Sequence, residues 1–85
     1  MNSNMMTLED FTQGIQECFI DGGVSLNPTT RFRDSDEFDS LVGFTMLVYM
    51  EDNFGYRMTV DDYLKCHTAE DLYKKIQDIL KKQNG

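Results

Sequence analysis

The chain has no tryptophan, a single proline, a single histidine and two cysteines among its 85 residues, and most of these scarcities close off a class of function. A zinc site lacks ligands, because His67 stands alone beside Cys66 and adjacent side chains point in different directions. A cysteine hydrolase is equally poorly supplied, since neither Cys18 nor Cys66 has an identifiable orienting partner or oxyanion donor. The two cysteines form no disulfide framework and no CxxC motif, so both are expected as buried free thiols in a reducing compartment. Bases are scarce too: 8 Lys and Arg face 15 Asp and Glu, and the net charge of −7 is one a phosphate backbone repels, which excludes nucleic acid. No apolar run approaches the ~18 residues that cross a bilayer, so no membrane insertion is expected. Met1-Asn2-Ser3-Asn4-Met5-Met6 lacks the basic and apolar stretches of a signal peptide. A cytoplasmic monomer is the expectation.

A chain of this length forms one domain with a limited core, too small to hold both a cleft and the scaffold that keeps it rigid. A carrier or interaction module is therefore favoured over an enzyme. The acidity is uneven. Residues 1–62 hold 12 acids against 3 bases, whereas residues 63–85 hold 3 acids against 5 bases. Basic partner surfaces complement such a chain, with steering that salt weakens.

Apolar residues recur at helical spacing in four places. The first helix is predicted from about Thr7 to Ile20, with Leu8, Phe11, Ile15, Cys18 and Phe19 on one face and Gly22-Gly23 ending it. Residues 21–38 form a long connection that contains Pro28 and the expected anchor Phe32. The second helix begins at Asp39 or Ser40 and ends near Phe54, with Gly55 as its stop. A short third helix covers Val60–Lys65, and a fourth runs from Ala69 to about Lys82. The β-formers of Phe44-Thr45-Met46-Leu47-Val48-Tyr49 have no second strand to pair with, and their spacing fits a helix. The expected fold is all-α: a four-helix bundle of three longer helices and one short one, spanning residues 7–82, with flexible ends at 1–6 and 83–85. Phe44, Met46, Leu47, Met50, Phe54, Met58, Leu72 and Ile76 are the expected core of its later helices.

Thr7, Thr59 and Thr68 each precede an aspartate by three residues, the pattern of a capping box. The second helix has no such partner: three residues beyond Asp39 stands Val42, and three beyond Ser40 stands Gly43. If Asp39 supplies the cap, the Ser40 hydroxyl is left in the first turn, where unpaired N–H groups and the helix dipole favour a phosphate.

Asp39-Ser40-Leu41 resembles the Asp-Ser-Leu signature of acyl carrier proteins. The setting matches as well, with Phe32 eight residues before the serine, Leu47, Met50 and Phe54 after it, then Met58 and Thr68. The resemblance covers about residues 29–76. It implies covalent 4′-phosphopantetheine on Ser40, flanked by Asp39 and Leu41, loaded from coenzyme A by a phosphopantetheinyl transferase with Mg²⁺ at the transferase. It implies acyl intermediates held as thioesters for fatty acid, polyketide or related biosynthesis, passed among acyl-processing enzymes with basic docking surfaces. The chain itself then catalyses nothing. Asp34, Asp36, Glu37, Val42, Val48, Glu51 and Asp52 are the candidate partner contacts. The alternatives are a peptidyl or aminoacyl carrier and an unmodified acidic interaction module.

The chain departs from the family at Glu37, where a glycine is usual, and at Asp36, where an apolar residue is usual. Val42 and Thr45 also stand where the family's second helix often carries carboxylates. These differences point to a specialised carrier. Asp34-x-Asp36 opens like a calcium loop, but its fifth position holds Phe38, its glycine position Asp39 and its bidentate-glutamate position Thr45.

Overall fold

A computed structural model describes residues 6–19 and 24–84 of the chain. Among these, four α-helices follow in order: α1 (Leu8–Glu17), α2 (Ser40–Phe54), α3 (Val60–Lys65) and α4 (Ala69–Asn84), with one 3-10 turn at Phe32–Asp34. The all-α four-helix architecture expected from the sequence is what the chain adopts.

The caps explain most of the boundaries. Thr7, Thr59 and Thr68 each accept a hydrogen bond at 3.1 Å from the backbone N–H of the aspartate three residues on. At Thr68 the box is reciprocal, because Asp71 Oδ2 accepts from the backbone N–H groups of Thr68 and His67 at 3.3 and 2.9 Å. Gly55 closes α2 in the left-handed conformation, φ 68°, which a Cβ would strain. Two ends differ from expectation. α1 stops at Glu17, where Cys18 and Phe19 donate to carbonyls only three residues back and so tighten the turn. Ile20 and Gly22-Gly23 lie outside the described residues, as do residues 1–5 of the expected flexible N-terminus. α4 runs two residues past Lys82, into the stretch expected as a tail.

The core gathers Phe11 and Ile15 from α1, Phe32 from the long connection, Met46 and Met50 from α2, and Leu72 and Ile76 from α4, all fully buried. Each such side chain contributes about 1.5–3 kcal/mol by leaving water. Phe11 sits at the centre, its ring 5.6–5.8 Å from those of Tyr49, Phe54 and Tyr73. Cys18 and Cys66 are buried and unbridged.

Among its described residues, from Val24 on, the long connection is tied to both α1 and the head of α4. Leu26 donates to the Gln16 side chain at 2.7 Å, Glu70 donates to the Pro28 carbonyl at 2.9 Å, and Phe32 donates to the His67 carbonyl at 3.2 Å. Phe32 is the expected anchor, wholly buried, with Phe38 at 5.9 Å and Tyr63 at 6.5 Å between ring centres.

α2 corrects two assignments. Phe44, expected in the core, is 64% exposed, and Val42, expected at the surface as a partner contact, is 2% exposed. The helix is apolar on nearly every side, so its period alone does not say which stripe faces inward. Val42, Met46 and Met50 turn to the core, while Leu41, Phe44 and Val48 turn to solvent.

Candidate functional site

The long connection delivers the chain to the head of α2 in extended backbone at Asp39, φ −147° and ψ −175°. From there the Asp39 carboxylate accepts from Val42 N–H at 2.9 Å, and the Asp39 carbonyl accepts from Gly43 N–H at 3.0 Å. Capping therefore falls to Asp39, and Ser40 begins the helix with an exposed side chain. The N–H groups of Ser40 and Leu41 precede the first intrahelical bond and face outward with the positive end of the dipole.

Beside Ser40 a groove of about 660 Å³ opens between α2 and α3. Phe44 and Leu47 form one wall, Val60 and Leu64 the other, and Tyr63 with Gly43 its base. Asp39, Ser40, Arg33 and Phe38 complete the lining. Val60 and Leu64 are 62% and 56% exposed, unusual for aliphatic side chains four residues apart on one helix face.

Gly43 is explained by its neighbour. A Cβ there would stand 2.9 Å from the Tyr63 hydroxyl and 3.4 Å from the Phe38 ring, so the glycine lets α3 approach α2 closely. Its conformational cost of about 1 kcal/mol is borne for that contact. Arg33 then fastens α3 from the other side. Its guanidinium lies 4.4 Å from the Tyr63 ring centre and 5.1 Å from that of Phe32, and it donates to the carbonyls of Tyr63, at 2.5 Å, and Cys66. The Tyr63 carbonyl also accepts from the Cys66 N–H at 3.1 Å, and Arg33 adds charge-assisted bonds at the end of α3, where the helix dipole favours a cation.

The candidate partner contacts divide. Asp34 pairs with Arg31 at 3.1 Å and Glu51 with Arg57 at 3.2 Å, while Glu37 takes the Ser35 hydroxyl at 2.8 Å. Among the described residues, Asp36 and Asp52 are exposed and have no ion pair. Leu41 and Val48 are exposed at 54% and 38% and share their face with Phe44. That face is apolar along its length, and the acids of α2 lie only in its last turns.

Arg33, Tyr63, Val60 and Leu64 were not singled out from the sequence. For Val60 and Leu64 a signal exists, two aliphatic residues at i and i+4 of a six-residue helix whose inward positions are already filled. For Arg33 and Tyr63 there is none, because thirty residues separate them and only packing brings them together.

The family described as "Phosphopantetheine attachment site" matches residues 20–76, about two thirds of the chain. No curated protein and no solved structure matches it. The group that family holds is covalently attached 4′-phosphopantetheine, and the residues present suit it. An exposed hydroxyl stands at the mouth of a helix, free N–H groups are aimed at the same spot, and an apolar groove lies alongside. With the helical bundle, the spacing around Asp39-Ser40-Leu41 and the matched segment in agreement, the chain belongs to the phosphopantetheine attachment-site family as a carrier domain.

Proposed function

We propose that Ser40 is the residue to which 4′-phosphopantetheine is attached, and that the chain carries acyl intermediates of fatty acid, polyketide or related biosynthesis in the cytoplasm. One observation carries this reading: Ser40 is the exposed first residue of α2, relieved of capping by Asp39, at the edge of an apolar groove.

In the loading step Ser40 Oγ forms the new bond to phosphorus and the pyrophosphate linkage of coenzyme A breaks. Adenosine 3′,5′-bisphosphate leaves, and the hydroxyl proton passes to the transferase. Asp39 holds the first turn of α2 in place, so the oxygen is presented in one orientation. The N–H groups of Ser40 and Leu41 favour the negative charge of the resulting phosphodiester. The group supplies a terminal thiol on which cargo is held as a thioester. The chain's own task is presentation, raising the local concentration of cargo at each partner's active site.

Acyl rather than aminoacyl cargo is favoured by the walls of the groove, where Phe44, Leu47, Val60 and Leu64 offer nothing to a charged amine. Docking centres on Leu41, Phe44 and Val48, with Asp36 and Asp52 at the margins to meet basic groups. Such an interface loses less affinity in salt than an acidic one.

Incubation with coenzyme A and a promiscuous transferase, followed by intact-mass measurement, tests the attachment. The wild-type chain is expected to gain one phosphopantetheine and Ser40→Ala none. A folded wild-type chain that stays at its unmodified mass sinks the proposal and leaves an unmodified interaction module.

A further inference from the structure

One buried polar group lining the groove is without adequate employment. Tyr63 is 7% exposed, and although the Arg33 guanidinium can donate to its phenol oxygen, the only acceptor its O–H finds among the described residues is the Met46 sulfur, 4.0 Å away. A thioether is a weak acceptor, and this separation is the outer limit of its reach. A phenylalanine would fill the same space without stranding a hydroxyl. The surroundings nevertheless accommodate that oxygen, since the missing side chain of Gly43 leaves it room.

The ring is also held in one orientation. Arg33 covers it at 4.4 Å, Phe32 stacks at 6.5 Å with 26° between the planes, and Arg33 grips the carbonyl of the same residue. Burial raises the phenol pKa above its usual value, which Arg33 only partly offsets, so the group keeps its proton and remains a donor. A fixed donor with no strong acceptor of its own is pre-organised for a guest.

Position identifies the guest. Gly43 lies three residues from Ser40, about 4.5 Å along the helix axis. A chain anchored on the Ser40 oxygen and laid into the groove reaches this hydroxyl within its first few bonds. The first carbonyl on such a chain is the pantoyl amide of the arm, and the methyl groups just before it match the apolar walls of Phe44, Leu47 and Val60.

We propose that the Tyr63 hydroxyl donates a hydrogen bond to the amide carbonyl of the phosphopantetheine arm nearest Ser40, and so parks the arm in the α2–α3 groove. This rests on Ser40 as the attachment residue. Tyr63 is a positioning residue for the arm and takes no part in acyl chemistry. Released, the arm swings into a partner. Parked, its first segment lies along α2.

The test uses wild-type and Tyr63→Phe chains, each loaded from coenzyme A carrying ¹³C at the pantoyl carbonyl. Intact mass verifies loading first, so a chain that never loads counts against Ser40 and not against Tyr63. In the loaded wild type the pantoyl carbonyl resonance is expected to move downfield of its position in free coenzyme A. In loaded Tyr63→Phe it is expected to return towards the free value, while the amide spectrum of the bundle stays folded. Identical carbonyl shifts in the two loaded chains overturn the proposal. So does a Tyr63-dependent shift that appears only when the arm carries a 3-oxoacyl group, since the acceptor would then be the cargo.

Discussion

The Arg33 guanidinium lies over the Tyr63 ring, 4.4 Å from its centre, and donates to the carbonyl of that same residue at 2.5 Å. One side chain from the long connection thereby sets the position of α3, and with it one wall of the groove. Replacing Arg33 by Met keeps the aliphatic stem but removes both charge-assisted bonds, a loss expected to cost about 1.5–3 kcal/mol in urea denaturation. Arg33→Lys should recover only part, because an ammonium neither reaches two carbonyls as a planar fork nor stacks as well.

Gly43→Ala sets two effects against each other. Alanine gains about 1 kcal/mol of helix propensity, while overpacking against a pinned ring costs about 1–3 kcal/mol. The contact of 2.9 Å with the Tyr63 hydroxyl decides the sign, so a net loss is expected. In a Tyr63→Phe background the nearest atom is gone and the loss should shrink towards zero. Thermal melts of the four chains in this cycle measure the coupling.

Val42 and Phe44 offer a direct contrast. Val42→Ala opens space in the core and is expected to cost about 1–2 kcal/mol. Phe44→Ala removes a larger side chain from the surface and should change stability by less than about 0.5 kcal/mol. The order reverses in loading by the transferase, where Phe44→Ala is expected to lower kcat/KM and Val42→Ala to leave it near the wild-type value while the chain is folded.

Asp71 links α4 to acidity. The N–H of His67, more than any other group, holds its carboxyl below the usual range, followed in effect by the Thr68 donors. The folded value is the lower one, so its contribution is present above the unfolded pKa of about 3.9 and disappears as pH falls through the folded value. Asp71→Ala should cost about 1 kcal/mol at neutral pH. The difference in melting temperature between the two chains is expected to narrow as pH drops below that of an ordinary carboxylate.

The buried thiols behave oppositely. Burial, then the charge of Glu17, pushes Cys18 up to about 11, and burial, then Asp71, raises Cys66. With the folded value above the unfolded one of about 8.5, the stability of a neutral Cys18 is intact below that pH and is lost as pH climbs towards the folded value. Iodoacetamide at pH 8 should label both cysteines slowly in the folded chain and rapidly in urea, as mass spectrometry can follow.

Much of this protein was written locally. Threonine followed three residues later by aspartate, Gly55 after Phe54, and apolar residues at helical spacing act within one or two turns of chain, so the helices and the start of α2 could be read without knowing what they pack against. The place of Ser40 as the exposed first residue of α2 was legible for the same reason, since the missing capping box at α2 is a feature of a few consecutive residues.

Which side of α2 meets the core was not legible, because an almost uniformly apolar helix presents several acceptable stripes and only the neighbouring elements choose among them. The exchange of Val42 and Phe44 follows from that choice. The groove is likewise a tertiary product. Its base needs Gly43, Tyr63 and Arg33 together, and neither the space above a glycine nor the fork that fills the end of α3 exists until segments ten to thirty residues apart have packed.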